Sequence, residues 1–149
     1  MQFKREKLRN CVGGCDRLVK DYFDRTNAGD GVPSIDMDWV TYLRLEEHGK
    51  LAVFTARDDD DIIQGFAMYV VMLNPHYRTK FFAECDIIAV CPECRGKGVA
   101  RTLIEIAEGV FRRMGVDRMV HKFRTVYDTE PLFPKLGFVE AERTYMKVL

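Results

Sequence analysis

The sequence predicts a single α/β domain over residues 1–149, built on a mixed β-sheet with elements in the order β-α-α-β-β-β-α-β-α-β. Three observations carry that expectation. Three β-branched and aromatic runs, LAVFTA (51–56), IIQGFAMYVVML (62–73) and FFAECDIIAVC (81–91), are separated by the turns RDDDD and NPHYRTK, the pattern of antiparallel hairpins. An amphipathic helical stretch and a further strand-like run, VDRMVHKF (116–123), follow, so a right-handed crossover should join two parallel strands. A length of 149 residues with 47% hydrophobic and 31% charged residues is that of one globular domain able to bury a core.

The elements follow in order. QFKREKL reads as a short edge strand whose large apolar residues are Phe3 and Leu8. From Cys11 to Arg25, apolar residues recur at Val12, Leu18, Val19, Tyr22 and Phe23 with helical spacing. NAGDGVPS (27–34) is a loop by its glycines and proline. Ser34 is placed to cap a second helix, with Asp36 and Asp38 in its first turn. Trp39, Leu43 and Leu45 give that helix an apolar side, and it should end near His48-Gly49. In the third helix Val99, Leu103, Ile106, Ala107, Val110, Phe111 and Met114 share a face. Arg101–Glu105 and Glu108–Arg112 are i,i+4 pairs on the other, and Gly115 is a natural stop. TEPLFPKLGF suggests a short helix around Pro131–Leu136 ending at Gly137, and FVEAERTYMKVL a final strand or hairpin.

Composition narrows the function. The 23 basic and 23 acidic residues cancel, which argues against a nucleic-acid partner. No apolar run approaches the about 20 residues that span a bilayer, and MQFKREKLRN has no apolar segment behind it to form a secretory signal. Five cysteines, an odd number, fit a reducing compartment. The expectation is a cytoplasmic protein without a membrane partner.

Strand 81–91 holds an unusual pattern. Alternation puts Phe81, Ala83, Cys85, Ile87, Ala89 and Cys91 on one face, expected to lie under helices. The other face carries Phe82, Glu84, Asp86, Ile88 and Val90. Two carboxylates on a central strand need water, a ligand or a cationic neighbour, because an unpaired buried charge is costly. Both the functional and the ion-pair reading stay open at this point.

The stretch CPECRGKGVA (91–100) joins that strand to the amphipathic helix. Cys91 and Cys94 make half a zinc knuckle, but zinc takes four ligands, and Cys11 and Cys15 could complete them only if the first helix met this loop. A redox pair belongs at a helix start, and this one lies upstream. The cysteines therefore read as small side chains in a tight turn, and no metal is expected. Consecutive N–H groups at a helix N-terminus form an anion site, and Gly96 and Gly98 let a ligand approach the backbone. The frame is neither a Walker loop nor a dinucleotide fingerprint.

Arg95-Gly96-Lys97-Gly98-Val99-Ala100 resembles the Q/R-x-x-G-x-G/A motif of the GNAT superfamily of N-acetyltransferases. IIAVCPECRGKGVARTLIEIAE is similar to the family's acetyl-CoA segment, and LFPKLGF (132–138) to its L-Y-x-K-x-G-F segment. The similarity spans essentially the whole chain and is nearest to small single-domain members of bacteriophage type. The resemblance implies a GNAT-like mixed sheet with splayed central parallel strands, acetyl-CoA as cosubstrate, and acetyl transfer to a primary amine by direct attack.

On that resemblance, the cofactor would be held by Ile88, Ala89 and Val90 along the pantetheine. Arg95, Gly96, Lys97, Gly98, Val99, Ala100 and Arg101 would lie at the pyrophosphate, with Phe133 packed against the cofactor. A main-chain N–H near Ile88–Val90 would polarise the thioester. Glu84 or Asp86 would deprotonate or orient the amine. The family's acid, the tyrosine of L-Y-x-K, is Phe133 here, which leaves Tyr145, on the last strand, or Tyr127 as alternatives. The acceptor is a small-molecule or peptide amine, and the family allows a homodimer. The competing reading is a non-catalytic acyl-CoA-binding or interaction module, favoured by the missing tyrosine.

Overall fold

The sheet runs β1 (Gln2–Glu6), β2 (Leu51–Arg57), β3 (Ile63–Leu73), β4 (Phe81–Val90) and β5 (Arg118–His121), in that spatial order. The first three pairings are antiparallel, and β4–β5 is parallel. Helices α1 (Val12–Thr26) and α2 (Trp39–Glu47) precede β2, α3 (Val99–Met114) makes the crossover from β4 to β5, and α4 (Leu132–Lys135) follows β5. The structure, a computed structural model, describes residues 1–26, 34–123, 132–147 and 149. The expected 27–34 loop apart from Ser34, and Tyr127 and Pro131, lie outside the described residues. Among the described residues no helix is long and apolar enough to cross a membrane.

Each face of the sheet buries one helical layer. On one face Leu18 and Val19 of α1 pack with Val53, Phe66, Met68, Ile87 and Ala89, and Trp39, Tyr42 and Leu43 of α2 lie against them. On the other, Leu103, Ala107 and Phe111 of α3 pack with Phe54, Ala67, Tyr69, Ala83 and Cys85. The rings of Phe54, Tyr69 and Phe111 meet edge to face with centroids 5.1–5.9 Å apart. Such pairs add about 0.5–1.5 kcal/mol beyond their buried area. At the β1 edge, Arg57 Nε donates to Glu6 Oε1 at 2.9 Å and the Thr55 hydroxyl donates to the same oxygen. Burial pushes the Glu6 carboxyl up, but these bonds outweigh it and hold the group below the usual carboxylate range.

A β-bulge in β4 corrects the single apolar face expected for that strand. Met68 pairs with Ile87, yet its neighbour Tyr69 pairs with Cys85, so Asp86 is an extra residue without a partner on β3. Ala83 and Cys85 therefore join the α3 layer, whereas Ile87, Ala89 and Cys91 join the α1 layer. Ile88 and Val90 pack against the α3 side. An inserted residue flips the face of everything beyond it, because side chains alternate with a period of two.

Two further expectations change. The second helix starts at Trp39 and its cap is Asp38, not Ser34. The Asp38 carboxylate accepts the Thr41 N–H at 3.1 Å, whereas Ser34 lies more than a turn too early to reach it. Among the described residues the tail forms no strand: residues 138–147 have no regular structure and, beyond Phe138, are exposed. Within the segment the Arg143 side chain bonds Glu140 at 3.0 Å. α3 keeps its expected bounds, with both i,i+4 ion pairs formed and Gly115 at φ 74° ending it.

Candidate active site

β4 ends at Val90, and the chain turns through Pro92–Cys94 and Arg95 into α3. Gly96 (φ 71°) and Gly98 (φ 80°) take the left-handed conformation that glycine alone adopts without strain. Gly98 is the residue before the first helical turn, and its carbonyl accepts the Thr102 N–H at 3.0 Å. Among the described residues, no amide from Gly96 to Arg101 donates to another main-chain carbonyl. A Cβ at Gly96 or Gly98 would meet nothing within 4 Å, so the loop faces open space. Free amides at the positive end of a 16-residue helix suit an anion.

The side chains of this loop divide. Lys97 is exposed and Val99 is buried against the α3 layer, with Ala100 half-buried beside it. Arg101 pairs with Glu105 at 3.5 Å. Arg95 turns back from the loop: its Nε donates to the Val90 carbonyl at 3.0 Å, and its Nη2 meets Asp21 of α1 at 2.5 Å. Its charge is thus engaged by the protein. Cys11, Cys15, Cys91 and Cys94 do converge on the α1 layer. All are free thiols, and among the described residues no three Cys, His, Asp or Glu side chains gather as a metal site.

β5 accompanies β4 only from Phe82 to Cys85, opposite Arg118 to His121. From Asp86 through Val90 the same edge of β4 has no strand beside it among the described residues. Main-chain groups of the Ile88–Ala89–Val90 segment border that edge while their other side pairs with β3.

The two carboxylates differ in company. Glu84 takes an ion pair from Lys122 at 2.6 Å, with side chains 49% and 54% exposed. Asp86, on the bulge, accepts the Tyr42 hydroxyl at 2.7 Å, and no cation pairs with it among the described residues. Burial, and then the Asp86 charge, push the Tyr42 phenol well above its ordinary range, so it remains a donor. α2 is itself fixed to α1 by the Trp39 indole N–H, which donates to Asp16 at 3.0 Å. Tyr42 escaped the sequence reading, although its spacing of three from Trp39 on one helix face was a visible signal.

Phe133 stacks on Phe123 with centroids 5.1 Å apart and planes 6° from parallel. His121 and Phe138 complete this cluster at 5.2 and 5.6 Å from Phe133. His121 shares a hydrogen bond with Tyr69 at 3.2 Å, and burial lowers its pKa to about 4. Tyr145 stands apart, 89% exposed on the irregular tail rather than on a strand beside β4. A cavity of about 360 Å³ also lies away from these groups, between the start of α1 and the β2–β3 turn. Among the arginines that line it, Arg17 donates to the Ile63 carbonyl, and Arg57 donates to Glu6 and to the Asp61 carbonyl.

The mixed sheet with one parallel crossover and an open glycine loop at the crossover helix defines an α/β domain with a candidate anion site. The pattern of the Acetyltransferase (GNAT) family matches residues 16–138, and the chain belongs to that family. Members of the family transfer an acyl group from acetyl-CoA to an amine. Against the curated proteins the sequence finds no match. Solved structures share the fold at low identity. The tetramutant of the BH1408 protein from Bacillus halodurans is 15% identical, with all of both chains covered and a TM-score of 0.82. A predicted acetyltransferase with acetyl-CoA from Clostridium acetobutylicum is 13% identical over 99% of this chain and 95% of that one, at a TM-score of 0.76. The aminoglycoside acetyltransferase meta-AAC0020 from an uncultured soil metagenomic sample, in complex with sisomicin, is 18% identical over 99% and 93%, at 0.73.

Proposed function

We propose that this protein transfers the acetyl group of acetyl-CoA to a primary amine by direct nucleophilic attack. The observation that carries the reading is the run of amides from Gly96 to Arg101 at the start of α3, which donate to no main-chain carbonyl among the described residues. Their open approach suits a pyrophosphate, with Lys97 adding exposed positive charge. Ile88, Ala89 and Val90 would hold the pantetheine along the edge of β4 that has no strand beside it among the described residues, and Phe133 would pack against it. Arg95 acts by shaping the loop, since Asp21 and Val90 hold its guanidinium.

Acetyl-CoA supplies an activated thioester when bound. A main-chain N–H near Ile88–Val90 would polarise its carbonyl, a stabilisation that is strong where water is excluded. The attacking nitrogen must lose a proton, and Glu84 or Asp86 would accept it, directly or through water. A thiolate leaves tolerably with solvent as proton donor, so Phe133 in place of a tyrosine does not forbid turnover. The acceptor is a small-molecule or peptide amine; meta-AAC0020 was solved with the aminoglycoside sisomicin.

A second reading, binding of acyl-CoA without turnover, is favoured by one observation: Phe133 cannot donate a proton, and Tyr145 lies exposed on the tail. Thiol release from acetyl-CoA over a panel of amines, run beside calorimetric binding, separates the two. Amine-dependent release supports the transferase. Binding with no release on any amine overturns it in favour of the binding module.

A further inference from the structure

We infer that Tyr42 is a positioning residue for the acceptor amine, acting by holding Asp86 at the β4 bulge with one carboxylate oxygen kept for the substrate. The inference rests on the transferase reading and extends it by separating the two carboxylates.

The bulge takes Asp86 out of the ladder, so no residue of β3 stands opposite it. It also marks where β5 stops accompanying β4, whose last parallel pair is Cys85–His121. The carboxylate therefore sits where one edge of β4 opens. A side chain at such a position needs an external partner to hold a single orientation, and Tyr42 supplies it at 2.7 Å on Oδ2. Oδ1 receives no donor among the described residues.

Tyr42 is itself well anchored. Asp38 caps α2 through Thr41, Trp39 ties the helix to Asp16 of α1, and the rings of Trp39 and Tyr42 lie 5.9 Å apart. Its half-buried phenol can only donate here, because the acceptor is a carboxylate. Glu84 is placed otherwise. The Lys122 ammonium at 2.6 Å occupies it, and an arriving ammonium would meet a like charge at that carboxylate. Asp86 presents a negative charge that is oriented by a neutral donor.

In the reaction, the amine nitrogen forms the C–N bond as the C–S bond of the thioester breaks. The proton lost from nitrogen passes to Asp86 Oδ1, directly or through one water. The departing thiolate takes its proton from solvent.

The test uses the full chain with an amine that gives turnover, and the variants Tyr42→Phe, Asp86→Ala, their double, and Glu84→Gln. Tyr42→Phe keeps the ring, so melting by circular dichroism should stay close to the parent. We expect it to lower kcat/KM for the amine about tenfold, the magnitude of one hydrogen bond to a charged group, with the Kd for acetyl-CoA within about twofold. In the Asp86→Ala background the same substitution should change kcat/KM by less than about twofold, since its partner is gone. A loss of equal size in both backgrounds overturns the inference, as does an unaltered kcat/KM in Tyr42→Phe. A larger loss in Glu84→Gln than in Asp86→Ala overturns it as well. If the parent protein binds acetyl-CoA and releases no thiol with any amine, the transferase reading itself has failed, and the inference with it.

Discussion

Arg95 and Asp21 meet at 2.5 Å, and the same guanidinium reaches the Val90 carbonyl at 3.0 Å, so one side chain ties the glycine loop to both α1 and the end of β4. Two acceptors in different directions need a planar fork, which an ammonium does not provide. Arg95→Ala and Arg95→Lys should therefore weaken acetyl-CoA binding by similar factors, about tenfold for the loss of a charge-assisted contact. Titration calorimetry reads the comparison. Recovery of affinity in Arg95→Lys would show that charge toward the phosphates, not loop shape, is what Arg95 provides.

His121 predicts an acid-sensitive stability. Burial holds its folded pKa at about 4, against an ordinary value near 6.5. Between these values the unfolded chain binds more protons than the folded one, so stability falls as pH drops through that window and is level above it. From pH 7 to pH 5 the loss amounts to about 2 kcal/mol, taking about 1.4 kcal/mol per pKa unit. Urea unfolding across this range measures it. In His121→Gln, whose amide offers Tyr69 both a donor and an acceptor, the slope should flatten. Above pH 5 the experiment also avoids the carboxyl of Glu6, whose own contribution is lost below its depressed folded value.

Much of the frame was legible because it follows from periodicity. The 3.6-residue pattern from Val99 to Met114, its ion pairs and its terminal Gly115 all stand as read. The strand runs and hairpin turns likewise fall where β-branched residues and acidic or proline turns place them. The Asp86 bulge was hidden, because an inserted residue is invisible in a strand that has apolar residues on both faces. Its presence depends on the register with β3, a tertiary property. The same limit applies to the second helix, where Ser34 is the cap expected from sequence and the geometry at Thr41 selects Asp38. At the site, Arg95 has the charge expected beside a phosphate, yet Asp21, far away in sequence, redirects it. The spacing of Tyr42 from Trp39 marks a shared helix face, but its bond to Asp86 depends on how α2 lies over the bulge.

Glycines 65 and 98 lead to a last prediction in which packing and backbone conformation separate. Gly65 lies on β3 beneath the start of α3, where a Cβ would come 3.0 Å from Val99 Cγ1 and 3.3 Å from the Ala89 carbonyl oxygen. The carbonyl belongs to a paired strand and cannot retreat, so Gly65→Ala must push Val99 and the first turn of α3 outward. Overpacking of this kind costs about 1–3 kcal/mol. Gly98 meets no such neighbour, but its φ of 80° strains any residue with a Cβ, at about 1–2 kcal/mol. Asparagine tolerates that conformation better than alanine. Gly98→Asn should therefore unfold at a higher urea concentration than Gly98→Ala, while both lose affinity for acetyl-CoA because each side chain occupies the space over the loop amides. Gly65→Ala should lose stability and affinity together. Equal stabilities for the two Gly98 variants would overturn the conformational account, and undiminished binding in both would move the pyrophosphate away from this loop.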